Sequence, residues 1–255
     1  MEKKKVDIIL SCLNEEDSVF RFYDEAKKYL DDKYIFNLLY IDDGSTDKTY
    51  ENVKKLINDS KGDKFKISVI SFTKNFGHEA AMCAGLTESK ADYMIIMDVD
   101  LQNPPSKIPE IMKRFEEGAD CVLLKRVKYA SASLLKKFTS NGYYLFSKYI
   151  LRNKNERNVS DFFAVTKEIA EIVTKKYDTR LRFVRSFVQS EAKNIKLVEY
   201  ENGVRCFGVS RYNYWILTKL AFCSEVSRFK IFRNMYKATK ENPIYEIKND
   251  RTIYN

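Results

Sequence analysis

Two aspartates, Asp98 and Asp100, close the apolar run Tyr93-Met94-Ile95-Ile96-Met97, and Gln102 comes two residues later. In extended backbone alternate side chains leave on the same side, so two carboxylates and an amide face one point. Oxygen donors of that kind suit a hard divalent cation, Mg2+ or Mn2+. Zinc is excluded, because His78 is the only histidine and no cysteine cluster joins it. A solvated turn also accounts for these residues, since Asp and Asn collect at strand ends and Pro104-Pro105 stops the element. Spacing alone leaves both readings open.

The run is too short for a helix and reads as a strand buried on both faces, with the carboxylates at its carboxyl end. That edge of an open parallel sheet is where ligands bind. Residues 6–12 read as a first strand, and Asn14, Glu15 and Glu16 lead directly into a helix with the apolar face Val19, Phe22, Tyr23, Ala26 and Leu30. Residues 36–41 form a second strand ending in IDDGSTDKT, where Gly44 permits a tight turn and Ser45 or Thr46 caps the next helix. Residues 66–72 form a third strand, and residues 75–86 a turn and helix with His78 at the helix N-terminus, where the dipole disfavours a charged imidazole. After the DxD strand come a helix with Ile108, Ile111, Met112 and Phe115 and a strand over 120–124. Residues 195–200 and 204–207 flank Asn202-Gly203 as a hairpin. The alternation predicts an α/β fold with a doubly wound, mostly parallel sheet.

At 255 residues, 44% hydrophobic and 32% charged, the chain is sized for one globular domain with a modest appendage. A net charge of +9 favours anionic partners such as nucleic acid, acidic headgroups or phosphorylated ligands. Cys12, Cys83, Cys121, Cys206 and Cys223 contain no CxxC pair and read as core residues of a reduced, cytoplasmic protein. Asp7 interrupts the first apolar run, so no signal peptide is expected there, and Lys219 interrupts residues 215–222, far short of the about 20 apolar residues a bilayer span needs. Lys125, Arg126, Lys128, Lys136, Lys137 and Lys148 lie among aromatics, as a solvated basic helix or a single-stranded nucleic-acid surface would have them. From Trp215 onward, Leu220, Phe222, Val226, Phe229, Phe232 and Tyr236 alternate with Lys219, Arg228, Lys230, Arg233 and Lys237. That pattern suits a helix in a headgroup layer, and equally a packed C-terminal helix or a dimer contact.

The run SFTKNFGHEAAMCAGLTESKADYMIIMDVDLQNPPSKIPEIMKRFEEGAD, residues 71–120, with IDDGSTD before it, resembles the donor-binding half of glycosyltransferase family 2. It is most similar to the branch of bactoprenol glucosyltransferases and dolichol-phosphate mannose synthases. The resemblance implies a GT-A fold with a Rossmann-like nucleotide-binding half, a UDP- or GDP-linked sugar donor, and a divalent metal on Asp98, Asp100 and Gln102. By the same resemblance Ser11, Asn14 and Glu15 match the first nucleotide-binding loop, and Asp43 the carboxylate that hydrogen-bonds the nucleobase. Arg126, Lys136 and Ser140 match positions for the acceptor phosphate or the leaving pyrophosphate. Asp161, in NVSDFFAVT, matches a further active-site carboxylate. Arg205, Gly208, Ser210 and Tyr212 match a mobile loop in which Arg211 replaces the usual Lys, with Arg205 and Arg211 on the donor and Ser210 on the acceptor side.

The implied reaction is inverting transfer from a nucleoside diphosphate sugar to a polyprenyl phosphate or a lipid-linked or cell-surface glycan, with Asp100 and Asp161 catalytic. A soluble sugar or protein hydroxyl acceptor is the alternative, with Asp161 as base. The expected layout is a catalytic domain over 1–213 and a basic amphipathic segment over 214–255 that holds the protein peripherally at the inner face of the membrane or joins copies of it. The family continues from that segment into membrane spans, which this chain is expected to lack. Two other classes compete. A nucleotidyltransferase needs a Gly- and basic-rich phosphate loop where this chain has the acidic SCLNEE. A membrane- or nucleic-acid-binding protein without catalysis explains the charge, but not Asp98, Asp100 and Asp161 at strand ends.

Overall fold

The computed structural model of the chain describes residues 2–127, 156, 159–180, 183–201, 230–248 and 252–253. The strands are β1 (Lys5–Cys12), β2 (Ile35–Asp42), β3 (Lys66–Ser71), β4 (Tyr93–Asp98), β5 (Cys121–Arg126), β6 (Val159–Thr166), β7 (Ile195–Tyr200) and β8 (Thr252–Ile253). The helices are α1 (Val19–Ala26), α2 (Thr49–Asp59), α3 (His78–Glu88), α4 (Ile108–Glu116), α5 (Lys167–Lys176), α6 (Val184–Glu191) and α7 (Lys230–Met235).

Strands that are apolar on both pleat faces must be covered on both, and β1 is buried from Val6 to Cys12. On one face Val6, Ile8 and Leu10 pack with α1, α2 and α4, which presents Ile108, Ile111, Met112 and Phe115 as their spacing predicts. On the other face Ile9, Leu39 and Ile41 pack with α3, α5 and α6. The sheet between them runs β7-β5-β6-β4-β1-β2-β3-β8. Strands β3, β2, β1 and β4 are parallel, and so are β5 and β7. The chain builds outward from β1 through β2 and β3, then returns to lay β4 on the other side of β1, with Ser11 in register with Asp98. Such a reversal opens a crevice beyond the carboxyl ends of the strands.

Several local expectations shift. Residue Asn14 adopts φ 55° and its side-chain oxygen accepts the Thr46 N–H, so the chain turns before entering α1 at Val19. Leu30 lies beyond α1 yet still packs against the same core. Ser45 and Thr46 bond to Asn14 and do not cap α2, which begins at Thr49. The segment around Asp161 is a full strand, β6, inserted antiparallel between β4 and β5. Of the expected hairpin, residues 195–200 are β7 and residues 204–207 lie outside the described residues.

The C-terminal residues finish the β3 edge. The Thr73 N–H donates to the Glu246 carbonyl, the Lys248 N–H to the Ser71 carbonyl, and β8 pairs antiparallel with β3. The Tyr245 ring stacks on Phe72 at 5.3 Å, and Phe72 meets Phe76 edge-on at 5.8 Å. An edge that would otherwise offer open backbone groups is thereby paired beside the loop that leads into α3. Among the described residues no helix is long and apolar enough to cross a membrane. Cys12 and Cys121 are buried free thiols.

Gly85 is what lets α3 lie close on β1, because a Cβ there would overlap Ile9 Cγ2. We expect Gly85→Ala to destabilise the fold by about 1–3 kcal/mol, the usual cost of overpacking. Urea unfolding should show a lower midpoint at unchanged slope. An unaltered midpoint would mean that the helix and strand are not held at this distance.

Candidate active site

The ends of β1 and β4 bring Ser11, Asp98 and the first residue of α3, His78, together. Ser11 Oγ lies 2.9 Å from His78 Nδ1 and donates to Asp98 Oδ1 at 3.3 Å, while His78 Nδ1 is 3.8 Å from the same oxygen. With the serine proton on Asp98, the consistent arrangement has His78 Nδ1–H donating to Ser11 Oγ. The other oxygen, Asp98 Oδ2, accepts from Asn103 Nδ2 at 3.2 Å. Past the strand end the chain doubles back sharply. Asp100 Oδ1 accepts the Gln102 backbone N–H at 3.0 Å, and the intervening Leu101 takes φ 63°, a left-handed conformation that a branched side chain rarely adopts. Asp100 is buried and Gln102 half-buried.

Asp161 reaches the same edge from β6, held by Arg185 Nη1 at 2.9 Å, which also donates to the Val159 carbonyl at 2.8 Å. These carboxylates sense one another. Burial pushes the Asp98 carboxyl up, and Asp100 and Asp161 push it further, against the pull of His78 and Ser11. Burial and the charge of Asp161 raise Glu79 to about 7, while its Oε2 accepts the Val184 N–H at 2.8 Å. For His78, burial opposes the charge, but Asp98, Asp161, Glu79 and Asp43 outweigh it and the imidazole is raised. The surrounding carboxylates thus pull this imidazole upward, an influence that the helix start, which disfavours the charged form, does not reveal.

The remaining expected residues divide by what they touch. Asp43 is buried, and its two oxygens accept the Phe76 and Gly77 N–H groups at 2.6 and 2.9 Å. Burial raises this carboxyl in spite of those bonds. Asn14 and Glu15 bind the β1 loop to the β2 loop: the Asn14 N–H donates to Ser45 Oγ, the Glu15 N–H to Thr49 Oγ1, and the Glu15 carboxylate accepts Ser18 Oγ. Arg126, at the exposed end of β5, donates from Nε to the Tyr200 hydroxyl at 3.0 Å. Lys136, Ser140, Arg205, Ser210 and Arg211 lie outside the described residues. The structure thus gathers Ser11, Asp98, Asp100 and Asp161, and adds His78, Glu79, Asn103, Arg185 and Tyr200. Of the added residues only Asn103, inside the DVDLQN block, and His78 carried a local signal; Arg185 and Tyr200 are distant in sequence and ordinary in type.

Asp98 and Asp100 supply hard oxygen ligands at a strand end, and three mutually repelling carboxylates are what a cation would relieve. Among the described residues no three His, Cys, Asp or Glu side chains form a complete metal site. Strand β4 ends at Asp98 and the chain turns over 99–103, so the expected same-side alternation does not extend to Gln102; the two carboxylates still suit Mg2+ or Mn2+, which usually complete their coordination with water and substrate phosphate.

The raised groups set a pH dependence. A carboxyl raised like Glu79 contributes stability that is present below its ordinary value near 4.5 and drains as pH climbs to about 7. A raised imidazole contributes below 6.5 and loses its contribution as pH passes its folded value. The melting temperature of the metal-free protein should therefore fall as pH rises from about 5 through about 7. Glu79→Gln, which keeps an acceptor for Val184, should flatten the lower part of that fall. An equally steep fall in the variant would show that Glu79 does not titrate in this window.

Comparison with known proteins completes the site. The family described as Glycosyl transferase family 2 matches residues 7–172. The bactoprenol glucosyl transferase of Shigella phage SfV is 33% identical over 218 residues, 85% of this chain and 69% of that protein. A prophage bactoprenol glucosyl transferase homolog of Escherichia coli K12 is 32% identical over the same length, 85% of this chain and 70% of that protein. Among solved structures, glucosyl-3-phosphoglycerate synthase from Mycobacterium tuberculosis, in complex with Mn2+, UDP-glucose and phosphoglyceric acid, aligns with TM-score 0.57 at 17% identity, over 92% of this chain and 82% of that one. S. aureus TarS 1-349 in complex with UDP aligns with TM-score 0.53 at 16% identity, over 76% of this chain and 57% of that one. The fold is therefore the GT-A glycosyltransferase fold, and the chain belongs to glycosyl transferase family 2.

Proposed function

We propose that this enzyme transfers a sugar, with inversion, from a nucleoside diphosphate donor to a polyprenyl phosphate or lipid-linked glycan. The observation that carries the proposal is the convergence of Asp98, Asp100 and Asp161 at the β1/β4 reversal, where a doubly wound sheet binds nucleotides. The names of the bactoprenol glucosyl transferases support a polyprenyl acceptor, and the neighbours solved with UDP and UDP-GlcNAc support a uridine nucleotide donor.

Inversion requires the acceptor oxygen to attack the anomeric carbon as the bond to the diphosphate breaks, so negative charge grows on the leaving group. Asp98, Asp100 and Gln102 would hold Mg2+ or Mn2+, which supplies Lewis-acid neutralisation of the diphosphate when bound. Asn103 and Ser11 orient the two oxygens of Asp98. A phosphate acceptor arrives ionised and needs no base, whereas a hydroxyl acceptor must lose a proton, and Asp161 is the motif carboxylate that could take it. Arg126, at the rim, is suited to an anionic group. Asp43 carries a second role besides the one expected, since it also holds the loop before α3, and any contact to a base uses its remaining lone pairs.

The C-terminal part of the proposal concerns location. On α7 Ile231 and Met235 are each 70% exposed, Phe232 and Tyr236 are partly exposed, and Arg233 and Lys237 stand among them. Apolar side chains ringed by cations suit a peripheral contact with an anionic membrane.

Two outcomes are expected. Calorimetric binding of UDP should require Mn2+ and be abolished by chelator or by Asp100→Asn, because a neutral amide poorly replaces a carboxylate on a hard ion. Equal binding without metal would remove the cation from the mechanism. Vesicles containing anionic lipid should sediment the protein at low salt and release it as salt rises, and Ile231→Asp with Met235→Asp should prevent sedimentation. Undiminished sedimentation of that variant would move the contact elsewhere on the chain.

A further inference from the structure

A buried hydrogen-bond chain joins the two halves of the site. Tyr200, at the end of β7, is 2% exposed, and its hydroxyl meets three groups from three other parts of the chain. It accepts from Arg126 Nε at 3.0 Å, and lies 3.2 Å from Asn103 Oδ1 and 2.9 Å from Ser160 Oγ. A phenol has one proton, so it donates to one of the last two at a time. The Ser160 hydroxyl proton goes to the Leu124 carbonyl at 3.2 Å, which leaves its oxygen as an acceptor. Asn103, 1% exposed, turns its oxygen to Tyr200 and its amide N–H to Asp98 Oδ2. The path Asp98–Asn103–Tyr200–Arg126 therefore runs through two buried side chains, with Ser160 as a second acceptor for the phenol. It begins at the carboxylate assigned to the cation and ends at the guanidinium assigned to an anion. The backbone takes the same route, since the Val127 N–H donates to the Tyr200 carbonyl at 2.9 Å.

We propose that Tyr200 is a positioning residue which, through Asn103, fixes Asp98 toward the donor diphosphate and its cation and at the same time aims Arg126 at the phosphate of the acceptor. The assignment rests on the function proposed for Asp98 and Arg126. Its physical basis is directional: an amide whose oxygen is held by a phenol can present its N–H only on the opposite side, and that N–H sets the rotation of the carboxylate. Partners that orient a ligand in this way typically change metal affinity by about 10- to 100-fold when removed. The arrangement also couples the two ends, because displacing Tyr200 releases both Asn103 and Arg126.

Tyr200→Phe is the test. The ring keeps its edge-on packing with Phe162 at 5.5 Å, so the change removes the hydroxyl and little else. Two binding constants are read by calorimetry: UDP in the presence of Mn2+, and farnesyl phosphate added to protein already saturated with UDP and Mn2+. We expect Tyr200→Phe to weaken the first by about 10-fold, and to weaken farnesyl phosphate binding by a comparable factor. Asn103→Ala should reproduce the UDP effect alone. In an Arg126→Met background Tyr200→Phe should leave farnesyl phosphate binding within about two-fold while still weakening UDP, since the guanidinium it aims is gone. A lower melting temperature with both constants unchanged would overturn the proposal and make Tyr200 a structural residue only. Independent, multiplying effects of Tyr200→Phe and Arg126→Met on farnesyl phosphate would overturn the coupling. Failure of the underlying reading looks different: Asp100→Asn would then leave Mn2+-dependent UDP binding intact. Inorganic phosphate is titrated in parallel, and binding as tight as that of farnesyl phosphate would assign Arg126 to a free anion and overturn the acceptor end of the proposal.

Discussion

The constraint on which the rest of the structure depends is the crowding of like charge at the ends of β1, β4 and β6. Asp98, Asp100 and Asp161 share one edge, and their mutual repulsion is reflected in the raised carboxyls of Asp98 and Glu79. Such a cluster persists only if the scaffold holds it against its own repulsion. The scaffold does so with directional bonds. Arg185 holds Asp161, Ser11 and Asn103 hold Asp98, and the Gln102 amide holds Asp100. Leu101 in its left-handed conformation is a further cost of that arrangement. The chain as a whole carries +9, so the acidic edge is a local exception set into a basic protein.

That exception shapes the loops around it. The β1 and β2 loops are joined side by side through Asn14 to Ser45 and Thr46, and through Glu16 to Lys48. Asp43 then holds the loop before α3, and the aromatic series Phe76, Phe72 and Tyr245 ties that loop to the C-terminal residues on the β3 edge. Polar side chains that a sequence reading gives to a ligand are here also committed to the scaffold. A site built this way is stiff because its recognition groups are its structural groups. Gly44 makes the same point, since at φ 70° a Cβ on it would run into the Lys74 backbone.

Features that are periodic or contiguous were legible in the sequence. The run Tyr93–Asp98 declared its burial by its apolar composition, its carboxylate fell at the strand's carboxyl end, and the apolar positions of α4 fell on one helical face as spaced. The family resemblance reached further than spacing could, because DVDLQNPP and IDDGSTD are contiguous blocks. Pairing across long separations was not legible. Nothing local announces that VSDFFAVT lies antiparallel between β4 and β5, because the pattern of a strand is the same in either direction. The contact of Arg185 with Asp161 and that of Tyr200 with Asn103 have the same character, each joining ordinary residues through tertiary structure alone. At His78 the helix start is easy to infer from the sequence, whereas the four carboxylates around the imidazole need coordinates.

The electrostatics also bear on how the two substrates can come together. Under the proposed function a nucleoside diphosphate and a polyprenyl phosphate are both anions, and the edge proposed to receive them already holds three carboxylates. At close range in a partly desolvated site, repulsion between unit charges exceeds what hydrogen bonding alone returns. Positive charge must therefore be present on both sides of the reacting centre. On the donor side Asp98 and Asp100 would supply it only indirectly, by attracting a cation. On the other side Arg126 carries its charge permanently. Tyr200, bonded to Asn103 on one side and Arg126 on the other, would on that reading keep the two sources of positive charge at a fixed separation, as an in-line displacement between two anions requires.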